Sequence, residues 1–184
     1  MTAPRLLLLT PPAGSLEAFR AILDAVAGAP GAAALLRRPG AGDRQLLAEA
    51  RMLLGPLPLL VHRRPDLARL VDAAGVHLPE RGLPIQEVRA LLGPDALIGV
   101  SRHDATGLAE AGDADYATLS PFRAVPGKNP ALGARGFRDA RAAAPDLPVL
   151  ALGGLSATHC EAALDAGADG IAVLRAAREA RRLL

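Results

Sequence analysis

Short apolar runs alternate along the chain with longer segments whose apolar residues recur at helical spacing, and glycine or proline marks most of the junctions. This alternation is typical of repeated strand–helix units in a parallel sheet. It predicts eight strands, at Leu6–Leu9, Ala33–Leu36, Leu57–Val61, Gly75–His77, Leu97–Val100, Tyr116–Leu119, Val149–Leu152 and Gly170–Val173. It predicts helices that begin near Leu16, Arg44, Pro65, Pro84, Ala105, Gly133, Thr158 and Arg175. The fourth strand is short enough to be a turn instead.

Eight such units predict an α/β protein, a single (β/α)8 TIM barrel that covers residues 1–184 as one domain. Because 184 residues lies below the lower limit of about 200 that is usual for this barrel, we expect short helices. A doubly wound open sheet is the structural alternative, since it repeats the same unit. The chain is 51% hydrophobic and 2% aromatic, so Leu, Ala and Val must form most of the core.

Composition narrows the range of partners. The net charge is only +2, and aromatic side chains for base stacking are scarce, so we expect no nucleic-acid partner. The apolar run at Leu6–Leu9 is too short to span a membrane and lacks the flanks of a signal peptide. Cys160 is the only cysteine, which excludes a disulfide within the chain and favours the cytoplasm. A homodimer is compatible with these features.

Two consecutive glycines follow the seventh predicted strand. Without side chains, Gly153 and Gly154 would expose backbone N–H groups, and the next helix would point its positive end at the same place. The loops after the last two strands of such barrels recurrently bind phosphate. The sequence therefore predicts a phosphate site here, with an ordinary Gly-Gly turn as the alternative.

The loops after all eight strands share one rim of a barrel, so residues that follow a strand are candidate ligand contacts. Arg37 follows the second strand, Ser101 the fifth and Arg175 the eighth. Lys128 is the only lysine and lies in a thirteen-residue loop, 120–132, whose length is typical of a mobile cover. This rim suits a phosphorylated small molecule.

His103 is the candidate acid/base, because imidazole titrates near neutral pH and either Ser101 or Asp104 would fix its orientation. A surface loop histidine is the alternative. His77, at the end of the fourth strand, is expected to be a hydrogen-bonded core histidine. We predict no metal site, since the only rim carboxylates are Glu80 and Asp104 and neither has a partner at a fixed spacing.

Six phrases occur in an order and at spacings that resemble one known superfamily. They are Leu35–Arg38, Ala74–Leu78, Ile98–His103, Ala114–Tyr116, Ser120–Phe122 with Lys128 eight residues after Ser120, and Gly153–Leu155 together with Ala168–Val173. Over nearly its full length the chain resembles the thiamine-phosphate synthase and thiazole tautomerase superfamily. The resemblance implies a (β/α)8 barrel, a thiazole phosphate at Gly153, Gly154 and the end of the last strand, and a role in thiamine biosynthesis.

The chain also departs from this superfamily. The resemblance implies that synthases carry an Asn-Asp pair after the third strand and an Asp after the fourth, and that these aspartates hold the Mg²⁺ that binds a pyrimidine pyrophosphate. The corresponding positions here are His62–Arg63 and Gly82. A lysine expected after the second strand is replaced by Pro39, and two threonines before the loop lysine are replaced by Val125 and Gly127.

These departures favour a thiazole tautomerase-like enzyme without a cofactor. The position of His103 resembles that of the histidine with which tautomerases move a proton, and tautomerisation needs no metal. One alternative is a divergent thiamine-phosphate synthase, which would use Mg²⁺ and join pyrimidine pyrophosphate to thiazole phosphate. The other is a non-catalytic barrel that binds a phosphorylated thiazole or a related small molecule. Arg175 stands where the family usually has a small residue, so it either adds a cation or blocks the pocket.

Overall fold

The strands close into a parallel barrel. A computed structural model describes residues 2–183 of the chain. Each strand pairs in parallel with the next, and the last pairs with the first. The eight strands are β1 (Leu6–Leu9), β2 (Ala32–Leu36), β3 (Leu59–His62), β4 (Gly75–Leu78), β5 (Leu97–Arg102), β6 (Tyr116–Leu119), β7 (Val149–Leu152) and β8 (Gly170–Val173). The predicted (β/α)8 barrel is confirmed, and the open sheet is wrong.

Seven short α-helices surround the barrel. They are α1 (Glu17–Ala25), α2 (Asp43–Leu53), α3 (Pro65–Leu70), α4 (Ile85–Leu92), α5 (Ala105–Ala109), α6 (Gly133–Arg141) and α7 (Cys160–Asp165). A 3₁₀ turn, Ala157–His159, precedes α7, and a C-terminal 3₁₀ helix covers Arg175–Arg182. Short helices were expected from the chain length. Between residues 2 and 183, no helix has both the length and the apolar character needed to cross a bilayer.

Four strands differ from their predicted bounds by one or two residues: β2 starts one residue earlier, β3 starts two residues later and ends one later, β4 ends one later and β5 ends two later. β3 begins at Leu59 rather than Leu57, because Pro58 has no N–H for the strand ladder and contributes only its carbonyl, which accepts from the Ala34 amide. β3 also extends to His62, which pairs with His77 on β4. β4 itself is a true four-residue strand and not a turn.

Alternate strand residues face two separate apolar layers. One set packs outward against the helices. The other fills the barrel interior and consists of Leu7, Leu9, Ala33, Leu35, Leu60, Leu97, Tyr116, Leu150 and Ala172. Tyr116 is wholly buried there, and Gly99 on the neighbouring strand makes room for it: a Cβ at Gly99 would lie 2.1 Å from the Tyr116 ring. The filled interior leaves only the carboxyl end of the barrel open for a ligand.

Candidate active site at the carboxyl end of the barrel

The barrel interior becomes polar at its carboxyl end. The next inward positions on four consecutive strands are His62 on β3, His77 on β4, Ser101 on β5 and Thr118 on β6, and all four line one cavity. The cavity has a volume of about 930 Å³ and opens at the mouth of the barrel. Because the strand ends set the height of these side chains, they form its floor.

His77 is the centre of a buried hydrogen-bond network. It is 2% exposed, its Nδ1 lies 2.9 Å from the Tyr116 hydroxyl, and its Nε2 lies 2.9 Å from Ser101 Oγ. The Thr118 hydroxyl is 3.4 Å from the same Nε2. The expectation that His77 is a hydrogen-bonded core histidine is confirmed, and it also forms part of the cavity floor.

The network fixes the protonation pattern of His77. Burial raises the pKa of Tyr116 above its ordinary value, so its hydroxyl stays protonated and needs an acceptor. His77 Nδ1 is the only partner of that hydroxyl in the described part of the chain, so Nδ1 accepts and Nε2 carries the proton. Nε2 then donates to Ser101 Oγ. Ser101 is thereby left with a free O–H that can donate to a ligand in the cavity.

Both floor histidines are neutral at physiological pH. Burial, helped by the charges of Arg37 and Arg63, lowers the pKa of His62 to about 4. Burial, helped by repulsion from His62 when that ring is protonated and from Arg102, lowers the pKa of His77 to about 3. The two rings stack with their centroids 6.2 Å apart. The positive charge of the cavity therefore comes from its arginines and its lysine, not from the histidines.

The cavity brings together all seven residues proposed from sequence as ligand contacts. They are Arg37, Ser101, His103, Lys128, Gly153, Gly154 and Arg175. Arg175 is exposed at the mouth, at the start of the C-terminal 3₁₀ helix, so it adds a cation at the edge of the cavity and does not fill it. The roles of these residues in binding or catalysis stay predictions.

His103 has a different orienting partner from those expected. Its Nδ1 lies 2.7 Å from the backbone carbonyl oxygen of Ser120, which can only accept, so Nδ1 is the protonated nitrogen. Asp104 instead caps α5 by accepting from the Gly107 amide at 2.7 Å, and Ser101 bonds to His77. His103 Nε2 makes no hydrogen bond to the other described residues and remains available to a ligand at the cavity wall.

The Gly153–Gly154 turn has free backbone donors. The two residues have φ of +101° and +68°, a region that favours glycine. Within residues 2–183, neither amide donates to a backbone carbonyl, whereas the Gly153 carbonyl accepts from the Arg123 amide at 3.0 Å. The Ala157 amide, at the start of the next helical segment, donates to Glu179 Oε2 at 3.1 Å and is not available to a ligand, and the contribution of that helix to anion binding stays a prediction. The glycine amides themselves remain suited to an anion.

The loop after β6 is fixed at its base and exposed at its tip. Phe122 is buried and packs edge-on against Phe137, with ring centroids 5.5 Å apart. The Phe122 amide donates to the Leu152 carbonyl at 2.8 Å. Lys128 lies at the exposed tip and lines the cavity. The loop therefore holds a lysine over the mouth, as its position in the sequence predicts.

Two Arg-Arg pairs follow strands, Arg37–Arg38 after β2 and Arg63–Arg64 after β3, and in each pair one arginine is held in an ion pair while the other lines the cavity. Arg38 is held by Glu49 at 3.0 Å, and both side chains are nearly buried. Arg64 donates to Asp43 at 2.5 Å and to Asp66 at 2.7 Å, and these hydrogen bonds raise the pKa of Arg64. Arg37 and Arg63 line the cavity instead. Only the first arginine of each pair is available to a ligand.

The residues at the mouth do not fit a Mg²⁺ site. Within residues 2–183 no three His, Cys, Asp or Glu side chains cluster as metal ligands, and Glu80 is the only carboxylate that lines the cavity. His62 Nδ1 is buried without a hydrogen-bond partner, but Mg²⁺ requires about six ligands, mostly oxygen. A Mg²⁺ about 5 Å from a guanidinium such as Arg63 would be repelled by several kcal/mol at an effective dielectric constant of about 20. No metal-dependent step is derived for this site.

Three residues of the site do not stand out in the sequence, and two of them line the cavity. The sequence places both Tyr116, which lies buried below the cavity, and Thr118, which lines it, in a strand core, and their inward orientation depends on the register between β5 and β6. Arg81 follows β4 and lines the cavity. The rule that residues after a strand share the rim would have identified Arg81.

Comparisons with known proteins agree with this geometry. Residues 6–177 match the family described as thiamine monophosphate synthase. A thiamine-phosphate synthase from Azorhizobium caulinodans is 41% identical over 151 residues, which cover 77% of this chain and 71% of that protein. One from Laribacter hongkongensis is 35% identical over 171 residues, covering 89% and 81%. One from Mycobacterium tuberculosis is 42% identical over 138 residues, covering 72% of this chain but only 61% of the relative.

A solved structure supports the same assignment. Thiamine phosphate pyrophosphorylase from Pyrococcus furiosus superposes with a TM-score of 0.82 and 26% sequence identity, and the match covers 97% of this chain and 93% of that one. The expectation of a thiazole tautomerase-like enzyme, drawn from the missing aspartates, is wrong, because the relatives at 35–42% identity are thiamine-phosphate synthases. The chain belongs to the thiamine monophosphate synthase family.

Proposed function

We propose that this protein makes thiamine phosphate by joining a pyrimidine diphosphate to a thiazole phosphate. The observation that carries the proposal is the pair of free amides at Gly153 and Gly154 at the mouth of a cavity of about 930 Å³. That volume lies near the upper end of the usual range for ligand sites, about 300–1,000 Å³, and allows two small substrates side by side. Relatives with 35–42% identity carry the name of this activity.

The reaction is a displacement at carbon. The bond between the pyrimidine methylene carbon and the diphosphate oxygen breaks, the thiazole ring nitrogen forms a new bond to that carbon, and inorganic pyrophosphate leaves. The protein must hold two anions, align the nitrogen with the carbon and stabilise the charge on the leaving group. No side chain has to act as a nucleophile.

The cavity residues divide these tasks by position. Gly153, Gly154 and Arg175 lie after β7 and β8 and bind the thiazole phosphate. Lys128 covers this anion from the loop tip. The Ser120 carbonyl occupies His103 Nδ1 and leaves Nε2 free. His103 Nε2 accepts a hydrogen bond from an N–H of the pyrimidine. Ser101 contributes as a donor, through the O–H that His77 leaves free.

The test is product formation by the purified protein from both phosphorylated substrates. Thiamine phosphate is oxidised to its fluorescent thiochrome derivative and separated by chromatography, in parallel reactions with Mg²⁺ and with EDTA. We expect product that is lost when either substrate is omitted. Absence of product in both reactions, with thiazole phosphate still bound, would overturn the proposal in favour of a non-catalytic phosphate-binding barrel.

A further inference from the structure

Three arginines occupy the side of the barrel mouth opposite the glycine turn. Arg37 follows β2, Arg63 follows β3 and Arg81 follows β4, and all three line the cavity. In a closed eight-stranded barrel paired in chain order, β3 lies across the axis from β7, after which Gly153 and Gly154 come. The mouth therefore has two separate places for anions. We call Arg37, Arg63 and Arg81 the arginine face.

The arginine face has no protein counter-ion. In the part of the chain that the structure describes, none of its three guanidinium groups takes part in a salt bridge or donates a hydrogen bond to another residue. The adjacent arginines behave differently, since Arg38 is paired with Glu49 and Arg64 with two aspartates. Cationic groups kept together without carboxylates are suited to an external anion.

The backbone at Arg63 is held in an uncommon conformation. Its φ is +65°, in the left-handed region that L residues rarely adopt. Its amide donates to the His77 carbonyl at 3.0 Å, which ties the turn after β3 to the end of β4. Backbone strain of this kind occurs often at ligand sites, where the surrounding structure enforces it. Here it places Arg63 at the cavity.

The charges of this face reach the cavity floor. Arg37 and Arg63 are among the groups that lower the pKa of His62, and Arg37 also lowers the pKa of His77. Glu80 is the only carboxylate among the described residues that lines the cavity, and the three arginines outnumber it. The face therefore keeps a net positive field toward the cavity, where Mg²⁺ would be repelled and a phosphate oxygen attracted.

We propose that the arginine face binds the diphosphate of the pyrimidine substrate directly, without a bridging divalent cation. This inference rests on the proposed function for the identity of the substrate, but diphosphate binding is testable by itself. A guanidinium donates two parallel N–H bonds to phosphate oxygens and keeps its charge at every working pH. The same contacts neutralise the pyrophosphate as it leaves, so the arginines take the place of the metal in charge stabilisation.

The test is calorimetric titration with inorganic pyrophosphate in EDTA and again in Mg²⁺. We expect wild-type protein to bind in EDTA, with no tighter binding when Mg²⁺ is added. Arg37→Ala and Arg63→Ala should each weaken binding by at least about tenfold, because each removes a charge-assisted contact. Arg63→Lys, which keeps the charge but not the paired donors, should fall between Arg63→Ala and wild type. Arg51→Ala is the matched control, since Arg51 is exposed on α2 and does not line the cavity.

Two results would overturn the inference. One is pyrophosphate binding that requires Mg²⁺ or tightens tenfold with it, and the other is unchanged binding in a folded Arg37→Ala/Arg63→Ala variant. The outcome is separable from that of the proposed function. Pyrophosphate binding in EDTA without any thiamine phosphate formation would refute the synthase proposal alone, whereas product formation only with Mg²⁺ would refute the metal-free site alone.

Discussion

Replacing Gly154 by alanine, with Gly28→Ala as the control, separates the cost of a positive φ from the effect of a new side-chain contact at the glycine turn. An L residue in the left-handed region at φ +68° costs about 1–2 kcal/mol relative to glycine. The added Cβ would also lie 2.7 Å from Arg123 Cβ and 3.2 Å from the Arg123 carbonyl carbon and oxygen. The Arg123 amide donates a hydrogen bond to the Gly153 carbonyl at 3.0 Å, so the turn cannot open without breaking that hydrogen bond. A lost hydrogen bond of this kind contributes about 1 kcal/mol.

We therefore expect Gly154→Ala to lower the free energy of unfolding by about 2–3 kcal/mol. Urea unfolding followed by circular dichroism measures this loss, and calorimetry with inorganic phosphate measures binding, which should weaken at least about tenfold because the methyl group shields the amides. Gly28→Ala is the matched control: φ is +79° and nothing lies within 4 Å of its Cβ. Gly28→Ala should lower the free energy of unfolding only by the cost of the positive φ, about 1–2 kcal/mol, and should leave phosphate binding unchanged. Equal stability and equal binding in the two variants would refute the reasoning.

Three further outcomes follow from buried polar groups. Tyr116→Phe leaves His77 Nδ1 without its hydrogen-bond donor, and we expect the free energy of unfolding to fall by about 1–3 kcal/mol. Substrate binding should also weaken, because His77 then no longer fixes Ser101 as a donor to the ligand. Unchanged binding would contradict that role of Ser101. The pKa of His62 is lowered to about 4 in the folded chain against 6.5 when unfolded, so the unfolded state binds more protons and stability falls as pH drops from 6.5 to 4. His62→Gln should remove about 1.4 kcal/mol per pH unit from that slope, and an unchanged slope in urea titrations would show that His62 is not buried neutral. Glu49→Gln removes the charged partner of the nearly buried Arg38 and should lower the free energy of unfolding by about 3 kcal/mol. A loss below about 1 kcal/mol would mean that the ion pair is exposed to solvent.

The fold was predictable because its signal is local. Each apolar run lies between glycine, proline and a helical repeat, and the eight runs fall on or within about two residues of the observed strands. β3 is the instructive exception, since the lack of an N–H at Pro58 shifts its start to Leu59. The register that closes the barrel is not local, but chain-order pairing of parallel strands leaves few other arrangements.

The candidate site was predictable only in part. The rim rule placed Arg37, His103 and the glycine turn correctly, because the end of a strand determines which residues face the mouth. The partners were not predictable, because they depend on side-chain direction across distant elements. Nothing in the sequence distinguishes Arg63 from Arg64; the difference arises from two aspartates at the starts of α2 and α3 that capture Arg64.

The missing metal aspartates are a poor guide to the reaction of this protein. A missing metal ligand indicates that the metal is not held in the usual way. It does not show which group stabilises the negative charge instead. Of the positions that lack carboxylates here, one is occupied by Arg63 and another, Gly82, follows Arg81, and both arginines line the cavity together with Arg37. Guanidinium groups and a divalent cation stabilise the same negative charge. Replacing the metal ion by arginines therefore needs fewer changes to the site than a different reaction would.

Thiamine phosphate formation by wild-type protein and by Gly154→Ala, with both phosphorylated substrates supplied, tests the central claim most directly. We predict product from wild type and, at substrate concentrations near the wild-type KM, a rate at least about tenfold lower from the variant because the phosphate amides are shielded. No product from the wild-type protein, or equal rates from the two proteins, would contradict the account.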